Sequence, residues 1–330
     1  MTAAARVNPK DYFTAEEWAP LSLKSSWKGV ALIVHAWVVI ALAGGMALAW
    51  PVTIPLAVMI IGARQLGLAI LMHDGAHAAL HPDLKINDWV GENLTGGGLV
   101  GYRKYHLGHH KYAQQVEDPD LGLSAPFPIS RRSLWRKIAR DLTGQTYFKQ
   151  RWAPLFKRIR ERPAGTSALP ILWGFVKLRR RFFIGAVVTI AVTAPLGYGW
   201  AWFALWLLPQ ATWLPMITRL RNIAEHACVA KNEPDPLRHA RTTHAGWLER
   251  AFLAPYWVNY HCEHHMFMHV PCYSLPRARR LLTAKGVTPR MLEAKSYVEV
   301  LRMASSLPAT EDRGDNLTPE ARGVSETNLL

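Results

Sequence analysis

The chain has 330 residues, of which 39 are Lys or Arg and 24 are Asp or Glu, and 50% of them are hydrophobic. Soluble domains reach similar averages, so composition alone does not separate them from membrane proteins, and the evidence must come from local runs. Three cysteines make an obligatory disulfide framework unexpected, and the first 27 residues lack the apolar run of a cleavable secretory signal.

The first apolar run covers residues 29–50 and contains no charged side chain. At 1.5 Å per residue, such a helix is about 33 Å long, enough to cross the hydrocarbon core of a bilayer. A second run, residues 52–72, is interrupted only by Arg64 and Gln65, which should face a bundle interior because polar groups are costly in lipid. The two runs predict a transmembrane hairpin that ends beside His73.

Residues 73–181 contain no clear spanning segment and are strongly basic. Between Tyr102 and Arg181 there are 18 Lys and Arg residues against five acids, which predicts a cytosolic location. This excess is consistent with contact to anionic lipid headgroups, and also with a docking surface for an acidic redox partner. Nucleic acid is not an expected partner, because the basic residues stand beside membrane helices rather than on a nucleic-acid module.

A third uncharged stretch, residues 182–217, is too long for one crossing and is broken by Pro195 and by Gly197-Tyr198-Gly199. It suits two helices and returns the chain to the cytosol. We therefore predict an all-α integral membrane fold, a single domain over residues 1–307, followed by a disordered tail at 308–330 that is rich in polar residues and Pro. The predicted crossings are about 29–50, 52–72, 182–196 and 199–218, with a cytosolic helical cap from 73–181 and 219–307.

Histidines form three clusters. Two have the spacing His-x-x-His-His, at residues 106–110 and 261–265, and the third is His-x-x-x-His at residues 73–77. With 14 histidines, a given His-x-x-His-His should arise by chance about 0.03 times in a chain of this length. Offsets of three and four place the imidazoles on one helix face, which predicts one metal site split along the chain. Imidazole suits iron, zinc, copper and nickel, but the His-Glu-x-x-His motif of zinc hydrolases is absent from the sequence.

The order of these clusters resembles the membrane fatty acid desaturase family, which carries His-x-x-x-His and two His-x-x-His-His boxes on the cytosolic side of four membrane helices. The resemblance covers residues 29–301 and is closest at residues 117–121, 222–226 and 259–276. It implies two iron ions, with Asn222 near one of them through a water. The implied iron ligands are His73, His77, His106, His109, His110, His226, His261, His264 and His265.

Four carboxylates stand beside these boxes: Asp74, Asp118, Glu225 and Glu263. Each could accept the second N–H of a ligand imidazole, and each could equally pair with one of the abundant arginines. The third box begins with His261 rather than the Gln of front-end desaturases, and no haem motif of a fused cytochrome b5 is present. The resemblance is therefore to the bacterial type, with electrons from a separate donor of the ferredoxin or cytochrome b5 kind.

The resemblance implies an oxidoreductase that uses O2 as co-substrate and two irons, cycling between Fe2+ and Fe3+, to desaturate the acyl chain of a lipid or thioester. A hydroxylase or ketolase on the same scaffold is the alternative, because the outcome depends on whether a second hydrogen leaves before oxygen rebounds. A metal transporter is disfavoured, since ionisable groups are not distributed across the predicted spans. The expected location is a bacterial inner membrane, crossed several times, with the active site cytosolic.

Overall fold

A computed structural model describes residues 3–96, 98–124 and 126–311. Helices dominate this part of the chain, as predicted, and they are joined by short turns. In chain order the helices are α1 (Ala15–Ser22), α2 (Lys28–Ala49), α3 (Ile54–Ala76), α4 (Leu84–Leu94), α5 (Leu99–Tyr112), α6 (Leu121–Ser124), α7 (Arg131–Leu142), α8 (Gln145–Arg151), α9 (Ala153–Arg160), α10 (Leu169–Leu178), α11 (Arg180–Thr193), α12 (Leu208–Ala211), α13 (Trp213–His226), α14 (Trp247–Phe252), α15 (His261–Met266), α16 (Leu275–Ala284) and α17 (Tyr297–Ala304).

Two short strands, β1 (Arg241–Thr243) and β2 (Leu292–Ala294), pair in parallel with Arg241 opposite Leu292. Helix α15 lies between the two strands in the chain, so their pairing brings together the two ends of the segment that contains α15. The hydroxyl of Thr242 donates to the carboxylate of Glu263 on α15, which ties that helix to β1.

The chain divides into two compact units. The first comprises Met1–Trp37, Leu66–Trp135 and Ile217–Leu330, and the second comprises Val38–Gln65 and Arg136–Met216. All nine predicted ligand histidines belong to the first unit. The second unit has its own small apolar core, built from alanines and larger aliphatic side chains: Ala43, Ala47, Ala57, Ile61, Ala201 and Leu205.

The apolar core of the first unit supports the third histidine cluster from behind. Phe267 follows α15 directly, and its ring lies 5.1 Å from Phe13 and 5.6 Å from Trp18 of the N-terminal segment. Cys262 and Met266 of α15 are buried in the same core. Helix α15 therefore turns its apolar side chains toward this core, which leaves its histidines for the opposite face.

Two helices in the described residues are long and apolar enough to cross a membrane, Lys28–Ala49 and Pro51–Ala76, where Pro51–Thr53 is a 3-10 turn that leads into α3. They match the first two predicted crossings, except that α3 extends past residue 72 and takes His73 into its last turn. His73 is the first residue of the predicted cap, and its polar side chain does not end α3. A helix ends where its backbone N–H and C=O groups lose their hydrogen-bond partners within the helix, and hydropathy does not mark that position.

The third and fourth predicted crossings consist of shorter pieces. The third predicted range contains most of α11 and a 3-10 turn at Ala194–Leu196, and the fourth contains a π-helical turn at Phe203–Leu207, α12 and the start of α13. Proline lacks the backbone N–H that a continuous helix needs, and Pro195, Pro209 and Pro215 stand at these breaks. Neither region therefore forms one long helix. Most of the predicted disordered tail, residues 312–330, lies outside the described residues.

Candidate metal centre

Four elements of the first unit carry the nine histidines of the predicted site. His73 is in the last turn of α3 and His77 directly follows that helix; α5 carries the second box, α15 carries the third, and His226 is the last residue of α13. On α5 the offsets of three and four residues place three imidazoles on one face, as the spacing predicted. Eight of the nine side chains are buried, and His265 is half-buried.

The structure sorts these histidines into two groups that could each hold a metal ion, and within each group the potential ligand atoms lie within 4.8 Å of one another. Imidazoles of the two groups are neighbours, because the rings of His110 and His265 are 4.4 Å apart. The five-histidine group is His73, His77, His106, His110 and His264, and the four-histidine group is His109, His226, His261 and His265.

Nitrogen atoms converge in both groups. The Nε2 atom of His110 lies 3.0 Å from that of His106 and 3.1 Å from that of His264, and the Nε2 atoms of His226 and His261 are 2.9 Å apart. Both ring nitrogens of His73 and of His77 are buried without a hydrogen-bond partner in the part of the chain that the structure describes. A cation between the imidazoles would satisfy one nitrogen of each ring, so the residues present fit a metal ion.

Each group offers at least four imidazoles to one ion, and imidazole suits iron, zinc, copper and nickel alike.

Burial sets the protonation of most of these imidazoles. It lowers the pKa of His77, His106, His110 and His264 well below the ordinary value, which keeps them in the neutral form that binds metal. For His109, burial acts in the same direction, but the adjacent carboxylate of Asp118 outweighs it and raises the pKa to about 9.

Asp118 holds His109 in the orientation that metal binding needs. Its Oδ1 atom lies 2.8 Å from Nδ1 of His109, while the backbone N–H groups of Gln114 and Asp120 donate to the same carboxylate. With Nδ1 engaged, Nε2 of His109 faces Nε2 of His265 at 3.3 Å. This is the arrangement that the sequence suggested for the carboxylates beside the boxes.

The other three carboxylates are placed differently. Asp74 accepts the backbone N–H of Cys272 at 2.9 Å and lies 3.7 Å from Nδ1 of His73, beyond hydrogen-bond distance. Glu263 contacts Thr242 and Arg279, so its partners are those of an ordinary buried ion pair.

Glu225 approaches one histidine of the four-histidine group. Its Oε1 atom accepts a hydrogen bond from Nε of Arg221 at 2.7 Å, and its Oε2 atom lies 3.4 Å from Nε2 of His261. Burial raises the pKa of Glu225 to about 7, although Arg221 lowers it. Asn222 is half-buried on α13, one turn before His226.

Sequence reasoning missed two side chains that contact the groups. The ring of Tyr102 stacks on His106 at 5.2 Å with an interplanar angle of 7°, and Gln114 brings its side-chain amide within 3.4 Å of Nδ1 of His226. Tyr102 stands four residues before His106 on α5, so helical spacing could have found it. Gln114 and His226 are 112 residues apart, and no local pattern connects them.

The end of α3 is held by a polar clamp that the sequence did not reveal. Arg103 of α5 donates to the backbone carbonyls of Gly75 and Ala76, each at 3.0 Å, and its guanidinium pairs with Asp88 of α4. Asn87 donates to the carbonyl of Gly75 as well. These bonds satisfy carbonyls at the helix end and thereby fix the turn that carries His73 and His77.

Histidines outside the motifs have other partners. Nδ1 of His35 lies 3.0 Å from the hydroxyl of Tyr256, and Nε2 of His239 lies 2.8 Å from the carbonyl of Glu233. His244 is exposed and lies 3.2 Å from Glu293. These contacts place His35, His239 and His244 outside the two histidine groups.

A mostly helical protein with apolar helices and two adjacent groups of imidazoles that could hold metal ions has the features of the histidine-rich, membrane-associated enzymes. The family model for fatty acid desaturase matches residues 48–291. The chain therefore belongs to the fatty acid desaturase family and is an oxidoreductase, and the family implies a lipid or acyl substrate.

Two characterised proteins show the same relationship. The chain is 28% identical over 243 residues to dihydrorhizobitoxine desaturase of Bradyrhizobium elkanii, covering 69% of this chain and 67% of the relative. It is 24% identical over 255 residues to sn-1 oleoyl-lipid 12-desaturase of Arthrospira platensis, covering 70% and 68%. Both relatives are desaturases, in agreement with the resemblance first inferred from the histidine boxes.

Proposed function

We propose that the protein is an O2-dependent di-iron desaturase that introduces a double bond into the acyl chain of a lipid or thioester. The observation that carries this proposal is the convergence of nine histidines in two adjacent groups, in a chain that belongs to a desaturase family. One of the two relatives is named for an oleoyl lipid, and the apolar helices of this chain suit a substrate of that kind.

The five-histidine group and the four-histidine group would each hold one iron. Iron supplies the activation of O2 and the removal of hydrogen from an unactivated methylene when it is bound there. The residues of this chain contribute the rest: Asp118 orients His109, burial keeps His77, His106, His110 and His264 neutral, and the clamp of Arg103 and Asp88 fixes the end of α3. The protein's part is to keep these groups rigid and shielded from water around the reacting carbon pair.

We also propose four membrane crossings, with both ends of the chain and the histidine groups on the cytosolic side of a bacterial inner membrane. Residues 1–307 would then form one membrane domain with a cytosolic cap. Support comes from α2 and α3, from the apolar segments between residues 182 and 218, and from the 18 basic residues between Tyr102 and Arg181.

Metal analysis and product analysis test the main proposal. Purified protein reconstituted anaerobically with Fe2+ should contain close to two irons per chain and little zinc. Expression in a host, followed by mass spectrometry of its lipids with localisation of double bonds, should reveal a new unsaturated acyl chain. One zinc and no iron would refute the di-iron centre, and an added hydroxyl or keto group would instead indicate the mono-oxygenase alternative.

We further propose that a separate one-electron donor of the ferredoxin or cytochrome b5 type docks on a basic part of the first unit. A surface pocket of about 500 Å³ lies between the start of α7 and the segment after α17. Three exposed arginines contribute to its lining, and three serines stand beside them: Arg131, Arg132, Arg302, Ser130, Ser305 and Ser306. Acidic groups on a donor would complement this surface.

Electrostatic docking predicts a steep loss of reduction rate as salt rises, because exposed charges are screened over about 8 to 10 Å at physiological ionic strength. Charge reversal at Arg131, Arg132 and Arg302 together should raise the apparent KM for the donor by at least about tenfold and leave iron content unchanged. Reversal of Arg277, an exposed residue of α16 outside the pocket, is the control. A rate independent of salt and of the triple substitution would assign this surface to lipid headgroups.

A further inference from the structure

The two histidine groups differ by one histidine, and a carboxylate stands beside the smaller group. Glu225 directly precedes His226 at the end of α13, and its Oε2 atom lies 3.4 Å from Nε2 of His261. That nitrogen is in turn 2.9 Å from Nε2 of His226. The oxygen therefore lies beside the pair of nitrogens that His226 and His261 contribute to the four-histidine group.

The Oε2 atom of Glu225 is buried and has no hydrogen-bond partner among the described residues, although the side chain is only 2% exposed. A buried carboxylate oxygen without a partner is energetically unfavourable. Its other oxygen is fixed by Arg221, whose Nε donates to it at 2.7 Å across one helical turn. Arg221 therefore determines which oxygen faces the histidines.

Glu263 shows that this chain can satisfy a buried carboxylate by ordinary means. It is fully buried on α15, directly before His264, yet one of its oxygens contacts Thr242 and the other contacts Arg279 at 3.1 Å. Both carboxylates adjoin a ligand histidine and both have an arginine. They differ in that Oε2 of Glu225 has no hydrogen-bond partner among the described residues and lies 3.4 Å from Nε2 of His261.

We propose that Oε2 of Glu225 is a ligand of the metal ion in the four-histidine group, and that Arg221 is the positioning residue that presents it. The inference rests on the proposed di-iron function. It gives each metal five protein ligands but of different chemistry, with imidazoles alone at one site and four imidazoles plus an anionic oxygen at the other. Because an anionic oxygen stabilises the more highly charged ion, the Glu225 site should be the harder of the two to reduce.

The substitution Glu225→Gln tests this assignment with little change of size. The amide oxygen can still accept the hydrogen bond of Arg221, which turns the amide nitrogen, a poor ligand, toward the histidines. After anaerobic reconstitution with Fe2+, iron should fall from about two per chain toward one. The affinity for the second iron should drop by at least about 100-fold. Replacing a residue that only hydrogen-bonds to a metal ligand lowers metal affinity by up to about 100-fold, and the loss of a ligand should cost no less.

Mössbauer spectra of 57Fe identify which site is affected. His265→Ala marks the signal of the four-histidine group and His77→Ala marks that of the five-histidine group. Glu225→Gln should remove or change the same signal as His265→Ala, whereas the matched control Glu263→Gln should retain both signals. Two irons with both signals unchanged in Glu225→Gln would overturn the assignment, whereas a wild-type protein without iron would instead refute the proposed function.

A structure of the iron-loaded protein would show whether Glu225 binds the iron or only accepts a hydrogen bond from a ligand histidine. An Oε2–iron distance of about 2.0 to 2.2 Å is expected for a carboxylate ligand. If Oε2 instead accepts a proton from Nε2 of His261 and no iron lies within about 3 Å of it, Glu225 is not a ligand and the inference fails.

Discussion

His110→Ala and His226→Ala are each expected to abolish turnover and to reduce iron from about two per chain toward one. His110 lies at the centre of the five-histidine group, with its Nε2 atom 3.0 Å and 3.1 Å from those of two other histidines. His226 holds the corresponding position in the four-histidine group, 2.9 Å from His261. Turnover should fall by at least about 100-fold, because replacing a residue that only hydrogen-bonds to a metal ligand already lowers activity by up to about that factor.

The control is His244→Ala. His244 is exposed and pairs with Glu293, outside both groups, so its replacement should leave iron content and turnover unchanged. Iron is measured by mass spectrometry of purified protein, and turnover by conversion of a labelled acyl substrate. Full iron content and activity in His226→Ala would remove that residue from the metal site, since it stands outside the three boxes and was assigned from its Asn-x-x-x-His spacing and the family resemblance.

The histidine boxes could be predicted from the sequence, but the division of their members between the two groups could not. His109 and His110 are adjacent on α5 and belong to different groups, and the same is true of His264 and His265 on α15. Successive residues of a helix point about 100° apart, so neighbouring imidazoles diverge. Which neighbour faces which ion depends on the packing of α3, α5, α13 and α15, and spacing within one box carries no information on that.

The carboxylates illustrate the same limit. Asp118 contacts His109 nine residues away, whereas the sequence left open whether an imidazole or an arginine would be its partner. For Glu225 the sequence offered two interpretations, hydrogen bonding to an imidazole or pairing with an arginine, and the structure shows Arg221 on one oxygen and His261 near the other. The second contact spans 36 residues and depends on the tertiary packing of α13 against α15. Hydropathy likewise located the apolar segments but not the breaks within them.

Gly29→Ala is expected to destabilise the protein and to lower its iron content, although Gly29 is far from the histidines in the sequence. A Cβ atom added at Gly29 would lie 2.2 Å from the carbonyl oxygen of Leu80 and 2.8 Å from the carbonyl carbon. These are backbone atoms and cannot rotate away, so the first turn of α2 or the turn at Leu80 must move. Leu80 is three residues after His77, and a shift there disturbs the five-histidine group. Overpacking of this kind costs about 1–3 kcal/mol.

Gly44→Ala makes the same chemical change on the same helix and should have the opposite effect. No atom of the described residues lies within 4 Å of a Cβ atom added there, and Ala favours a helix over Gly by up to about 1 kcal/mol. The unfolding temperature in detergent and the iron content per chain are measured for both variants. We expect a lower unfolding temperature and less than two irons for Gly29→Ala, and wild-type values or better for Gly44→Ala. Equal behaviour of the two variants would show that α2 does not approach the Leu80 backbone, and the turn after His77 would then be held by its contacts with Asn87 and Arg103.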